Sequence, residues 1–169
     1  MLILSLTAVA RAPVRLHLAL PADLPLWRDA GLVLDEPLTA DLEARSVGEG
    51  ILVRGEMSTR VAAECRRCLT PVHVDLRQPV DLLYEPLSPE DELDLSGEVY
   101  PLPDRGDELD LAPALREQLI LKVPDFVLCT ESCRGLCPHC GAELNRTSCG
   151  CVGEAKPSAW DALKSIRFD

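Results

Sequence analysis

The chain has 169 residues, a formal net charge of -11 and only six aromatic residues: two Trp, two Tyr and two Phe. That length supports one hydrophobic core, alone or with a small appended module. Scarce aromatics and an acidic balance argue against a nonspecific nucleic-acid binder, which must stack bases and neutralise phosphates, and no run of 18 apolar residues offers a transmembrane helix.

The first ten residues, Met1 to Ala10, are mostly apolar. They lack a basic start, and alternation continues through Val14, Leu16, Leu18 and Leu20, so they read as strand rather than signal peptide. The cysteines downstream are therefore expected to be reduced thiols in the cytoplasm. Residues 21–37, with Pro21, Pro25 and Pro37, read as irregular or as one short element. Leu38, Ala40, Leu42 and Ala44 alternate before the turn signal Gly48-Glu49-Gly50, which predicts a hairpin. Ile51, Val53, Gly55, Met57, Thr59, Val61, Ala63 and Cys65 then mark one face of a long strand, with Gly55 expected at a bulge or bend. Beyond Cys68 the pattern resumes at Val72, Val74 and Leu76, and again after Pro79 at Val80, Leu82 and Tyr84.

Charge then changes abruptly. Residues 85–110 hold ten acids against Arg105 alone, whereas residues 1–84 carry 9 bases and 11 acids and residues 111–169 carry 7 of each. With four prolines among residues 86–108, this stretch reads as a loop. Glu90, Asp91, Glu92 and Asp94 are its candidate contacts to a basic partner. A helix is predicted over Leu111 to Lys122: Asp110 can cap it, Leu111, Leu115 and Leu119 form a stripe, and Pro124 stops it. A final short helix is expected from Pro157, with Ala159, Trp160, Leu163 and Ile166 on one face. The fold class is α+β and mostly β. It is a curved antiparallel sheet or partly open barrel over 1–85, an acidic loop over 86–109, and a helix plus cysteine-rich zinc module over 110–169.

The cysteines carry the strongest chemical signal. Cys65 and Cys68 form one Cys-x2-Cys pair at a strand end, and Cys129, Cys133, Cys137, Cys140, Cys149 and Cys151 follow within 23 residues. Zinc is borderline soft and has no d-electron geometric preference, so it suits tetrahedral thiolate ligation. Eight thiols can close two four-cysteine sites. In the first partition Cys65, Cys68, Cys129 and Cys133 bridge sheet to tail, while Cys137, Cys140, Cys149 and Cys151 close a site within the tail. The other partition gives the tail one site and leaves Cys65 and Cys68 as free thiols. Cys137-Pro138-His139-Cys140 also has the composition of a redox-active dithiol, but its flanking glycines and neighbouring cysteines favour metal. His17 and His73 lie on alternating strands without a nucleophile beside them. Arg66 and Arg67 are the candidate RNA contacts.

Glu64-Cys65-Arg66-Arg67-Cys68-Leu69, then Leu115 to Pro124, then Leu128-Cys129 and Cys133-Arg134-Gly135-Leu136-Cys137-Pro138-His139-Cys140-Gly141-Ala142-Glu143-Leu144-Asn145 ending in Cys149-Gly150-Cys151, resemble the YceD family across about residues 45–169. The resemblance implies a non-enzymatic role in accumulating or assembling the large ribosomal subunit and its 23S rRNA. Its expected partners are large-subunit precursor components, a basic ribosomal protein or the 23S rRNA itself, with neither membrane nor small-molecule substrate. The family's Asp-Pro-Arg start to the last helix is Lys156-Pro157-Ser158 here. A zinc-ribbon interaction module without ribosomal role is the alternative, and a thiol–disulfide oxidoreductase comes third.

Overall fold

The computed structural model describes residues 2–86 and 99–151. Glu90, Asp91, Glu92 and Asp94 and the expected helix after Pro157 lie outside the described residues. The order is β1 (Ile3–Ser5), α1 (Leu6–Arg11), β2 (Val14–Leu20), α2 (Pro25–Arg28), β3 (Val33–Leu34), β4 (Leu38–Val47), β5 (Gly50–Glu64), β6 (Pro71–Glu85), β7 (Val99–Pro101), β8 (Glu108–Asp110) and α3 (Ala112–Lys122).

One six-stranded sheet runs in the order β2-β4-β5-β6-β7, with β3 pairing to β5 further along the same edge as β4. All its pairings are antiparallel except β6 to β7, and the sheet is open rather than closed into a barrel. The hairpin expected at Gly48 forms, with Val47 opposite Gly50. Period-two alternation has the consequence read from it. Leu38, Ala40, Leu42 and Ala44 on β4, Val53, Met57 and Val61 on β5, and Val80, Leu82 and Tyr84 on β6 are all buried on one face. Helix α3 presents Leu111, Leu115 and Leu119 to the same core, each at most 1% exposed. Full burial of such a leucine contributes about 2 kcal/mol. Trp27 is wholly buried, and its indole N–H donates to the Pro21 carbonyl at 2.8 Å.

Several expectations are corrected. The N-terminal run is not continuous strand: Ser5 accepts from the Ala8 N–H and caps helix α1, and β1 pairs with β8 in a separate two-stranded sheet. Within the stretch expected to be loop, β7 and β8 form, and Leu109 is buried. Asp107 holds this arrangement, accepting from the Ser5 hydroxyl at 2.6 Å and from the Thr7 backbone and hydroxyl. Those donors, Ser5 first, hold its carboxyl below the usual range. Asp110 accepts from the Ala112 N–H, but the capping position of α3 belongs to Leu111. Pro79 does not break β6, because β7 reaches only Leu83 to Glu85 and leaves that stretch without a β7 partner.

Gly55 is not at a bulge. Pairing runs unbroken from Leu42 through Gly55 to Val80. A Cβ there would sit 2.0 Å from the Asp41 carbonyl oxygen, so close backbone approach demands glycine. Gly55→Ala should therefore lower stability by about 2 kcal/mol or more, read as a shifted urea midpoint at unchanged slope. A neutral result would mean that the strands have room to separate.

Candidate metal centres

Strands β5 and β6 form a hairpin with residues 65–70 at its tip. There Cys65 N–H donates to the Thr70 carbonyl at 2.9 Å, and Leu69 N–H donates to the Cys65 carbonyl at 2.9 Å. In the tail, Cys137 N–H donates to the Ala142 carbonyl at 2.8 Å, and Gly141 N–H to the Cys137 carbonyl at 2.9 Å. The two Cys-x2-Cys turns therefore share one hydrogen-bond pattern. Each places the residue after its second cysteine in the left-handed region: Leu69 at φ 60 and Gly141 at φ 72. Glycine takes that conformation freely; leucine does not.

The tail is drawn onto the hairpin tip by backbone and arginine together. Arg66 N–H donates to the Val127 carbonyl, and Leu136 N–H to the Arg67 carbonyl. The Arg66 Nε donates to the Asp125 carbonyl and the Arg67 guanidinium to the Cys133 carbonyl, both at 2.8 Å. These two arginines clamp protein backbone at the positions given. Gly135 stands where a Cβ would lie 2.9 Å from the Arg67 carbonyl oxygen, so the two turns meet in backbone contact.

Eight sulfurs gather into two sets of four: Cys65, Cys68, Cys129 and Cys133, and Cys137, Cys140, Cys149 and Cys151. Within each set all Sγ atoms lie within 4.8 Å of one another. Four sulfurs about 2.3 Å from a tetrahedral ion stand about 3.8 Å apart. Cys65 and Cys133 are 3.7 Å apart and Cys68 and Cys129 3.5 Å, far beyond the roughly 2 Å of a disulfide. Each set thus has the donor number and spacing for one metal ion. The first is largely buried, whereas Cys140 and Cys151 of the second are exposed.

The protonation chemistry fits the same reading. Burial raises the Cys65 thiol, but backbone N–H groups of Cys129, Cys68 and Arg67 outweigh it and bring it to about 6. The N–H groups of His139 and Cys140 bring Cys137 to about 6. Cys133 is lowered first by the Asn145 amide, which donates to its sulfur at 3.2 Å. Against these, Cys129 is pushed up to about 12, chiefly by sharing hydrogen bonds with Cys68 and Cys133. Cys151 goes up to about 12, first through Cys140. Without a cation, some thiols in each set ionise only at the expense of others; a divalent ion removes that conflict.

Leu69 and Asn145 stand within the cysteine-rich motifs, but sequence alone assigns neither a role. Asn145 also accepts from the Arg134 N–H, so one side chain of the second module orients a sulfur of the first set. His139 is exposed and outside both sets, and Cys137 begins a turn rather than a helix. His17 and His73 pair across the outward sheet face with Asp41 and Asp35. On that face Arg15 meets Glu43, Arg54 meets Asp81, Arg60 meets Asp75 and Arg77 meets Glu56. These bases are already matched by acids, and so offer little to phosphates.

A family model described as "Large ribosomal RNA subunit accumulation protein YceD" matches residues 53–167. An uncharacterised protein of Mycobacterium tuberculosis is 35% identical over 117 residues, 69% of this chain and 54% of the relative. One from Mycobacterium leprae is 30% identical over 151 residues, 84% of this chain and 67% of the relative. The Arabidopsis thaliana protein named large ribosomal RNA subunit accumulation protein YCED homolog 1, chloroplastic, is 31% identical over 65 residues, 38% of this chain and 20% of that protein. The chain spans about half the length of the first curated relatives it matches, 54%. No solved structure matches.

The matched turns carry a test. Leu69→Gly should leave stability unchanged or raise it, whereas Gly141→Leu should lower it by about 1–2 kcal/mol, the cost of a side chain at positive φ. Thermal midpoints of the two variants check this. Equal losses in both would show that Leu69 packing, not backbone conformation, controls the first turn.

Proposed function

We propose, from the premise that the chain belongs to the YceD family, that it is a non-enzymatic cytoplasmic factor in accumulation or assembly of the large ribosomal subunit. Zinc would hold its two four-cysteine sets and so fix the tail to the sheet. The carrying observation is the pair of like Cys-x2-Cys turns, each completed to four thiols by cysteines elsewhere in the chain. A four-thiolate set fills a tetrahedral ion, leaving no open position for substrate, which supports a scaffold rather than a catalyst. Each such centre around a divalent ion carries a net -2, so two centres take the formal -11 of the chain to about -15. A protein so anionic favours basic ribosomal proteins over bare rRNA. The self-paired outward sheet face and the clamping roles of Arg66 and Arg67 support the same preference. The acids Glu90, Asp91, Glu92 and Asp94 would then steer association, most strongly at low salt.

Purified protein should carry about two zinc ions per chain, and Cys65→Ser about one, with the tail loosened from the sheet. Elemental analysis beside limited proteolysis of the tail reads both. A content near one in the parent, unchanged by Cys65→Ser, would return the site to the tail alone.

Depletion of the protein should lower mature 23S rRNA relative to 16S rRNA, and the protein should sediment with large-subunit precursors, less so as salt rises. Replacing Glu90, Asp91, Glu92 and Asp94 by Ser or Asn should slow association without changing metal content. Unaltered rRNA ratios together with no co-sedimentation would sink the ribosomal reading.

A further inference from the structure

A cleft of about 310 Å³ opens between the first Cys-x2-Cys turn and the segment after α3. Ala63, Leu69, Val123, Pro124 and Val127 give it apolar walls, and Glu64 and Asp125 bring carboxylates. Neither acid has an ion-pair partner among the described residues, in contrast to the acids of the sheet face. Arg66 and the metal-site residue Cys65 also line the cleft; the Arg66 Nε is engaged by the Asp125 carbonyl, and Glu64, Asp125 and Arg66 together carry a formal charge of about -1, to which any charge on the Cys65 sulfur adds. Leu69 makes the site unusual. It is 58% exposed and holds φ 60, at a position that the twin turn fills with Gly141. An exposed leucine gains nothing from burial there, and glycine would remove the backbone cost. Phe126, between two lining residues, is a second large apolar side chain left 64% exposed.

We infer that this cleft receives a lysine or arginine side chain from a basic protein partner. The aliphatic stem lies along Leu69, Val123 and Pro124, and the cationic head meets the Glu64 and Asp125 carboxylates. Long basic side chains are suited to such a site because they combine an apolar stem with a charged end. The volume is at the lower limit of ligand cavities, which suits one side chain better than a folded ligand. A phosphate would meet two carboxylates and one engaged arginine, so RNA is the poorer occupant. The inference rests on the reading of the chain as a binder of basic ribosomal proteins, and it gives that reading a location.

The probe is a capped nonapeptide with lysines in a glycine–leucine background, titrated into full-length metal-loaded protein and followed by amide chemical shifts. Shifts should concentrate at Leu69, Val123 and Val127. Affinity should fall about tenfold when the lysines are Nε-acetylated, and about tenfold in Glu64→Gln/Asp125→Asn. Leu69→Gly should weaken binding about fivefold without lowering the thermal midpoint, which separates loss of the anchor from loss of fold. Shifts spread over other surfaces, unchanged affinity in the double-acid variant, or the same amides moved by oligouridylate would each overturn the assignment. Loss of the cleft result with co-sedimentation intact would remove this site and leave the ribosomal reading standing. The reverse pattern would remove the ribosomal reading and leave the cleft.

Discussion

Four sulfurs drawn from two distant parts of the chain are the constraint on which the tail depends. Residues 123–151 contain no helix or named strand, and among the described residues Val72, Leu128, Cys129 and Leu136 are what packs against buried Cys65, Cys68 and Cys133. So small an apolar cluster cannot offset the backbone entropy of fixing a segment of that length. Backbone donors from Arg66 and Leu136 set the register of the contact, but each is worth only about 1 kcal/mol net. Ligation of one ion by all four thiols would change the scale of the interaction, because ordering the ligands and folding the segment would become one event.

The sheet, by contrast, has a large apolar core of its own. Its buried face joins α3, α1 and Trp27 in one core, and its long central hairpin carries Cys65 to the tip, beyond the reach of β4. Its wet face is occupied by cross-strand pairs in register, such as Arg54 with Asp81 and Arg60 with Asp75. Exposed pairs of this kind add little stability. Their effect is to leave that surface without a field of one sign, so the acidic character of the molecule is concentrated elsewhere.

What the sequence revealed follows the range of the interaction responsible. Alternation is a local signal, and it located β2, β4, β5 and β6 and the buried stripe of α3. Cysteine spacing was nearly as direct, since two like pairs and a remainder of four leave few partitions. Helix α1 was hidden because Leu4, Leu6 and Ala8 alternate with Ser5 and Thr7, which is the pattern of a strand. Strand β8 was hidden because Glu108 and Asp110 look like loop, and only pairing with Ile3 and Ser5 across the chain makes them otherwise. Asn145 stands in the tail motif, but its contact with the Cys133 sulfur exists only once the second turn is placed against the first. Leu69 was unremarkable by composition; its meaning lies in a dihedral angle and in comparison with Gly141.

The two sulfur sets differ greatly in the chain they enclose. Cys137 to Cys151 is a short loop, whereas Cys65 and Cys133 are separated by 68 positions. Closing the longer loop costs roughly 1.4 kcal/mol more, about tenfold in the probability of encounter. The tail turn can therefore assemble from its own residues while the rest of the chain is still unfolded. The first set needs Cys65 and Cys68 brought to Cys129 and Cys133 from across the chain, a long-range closure that the tail set does without. The spacing thus makes the tail set a local closure and the first set a long-range one, so the same four-thiol arrangement demands more chain entropy where it joins tail to sheet.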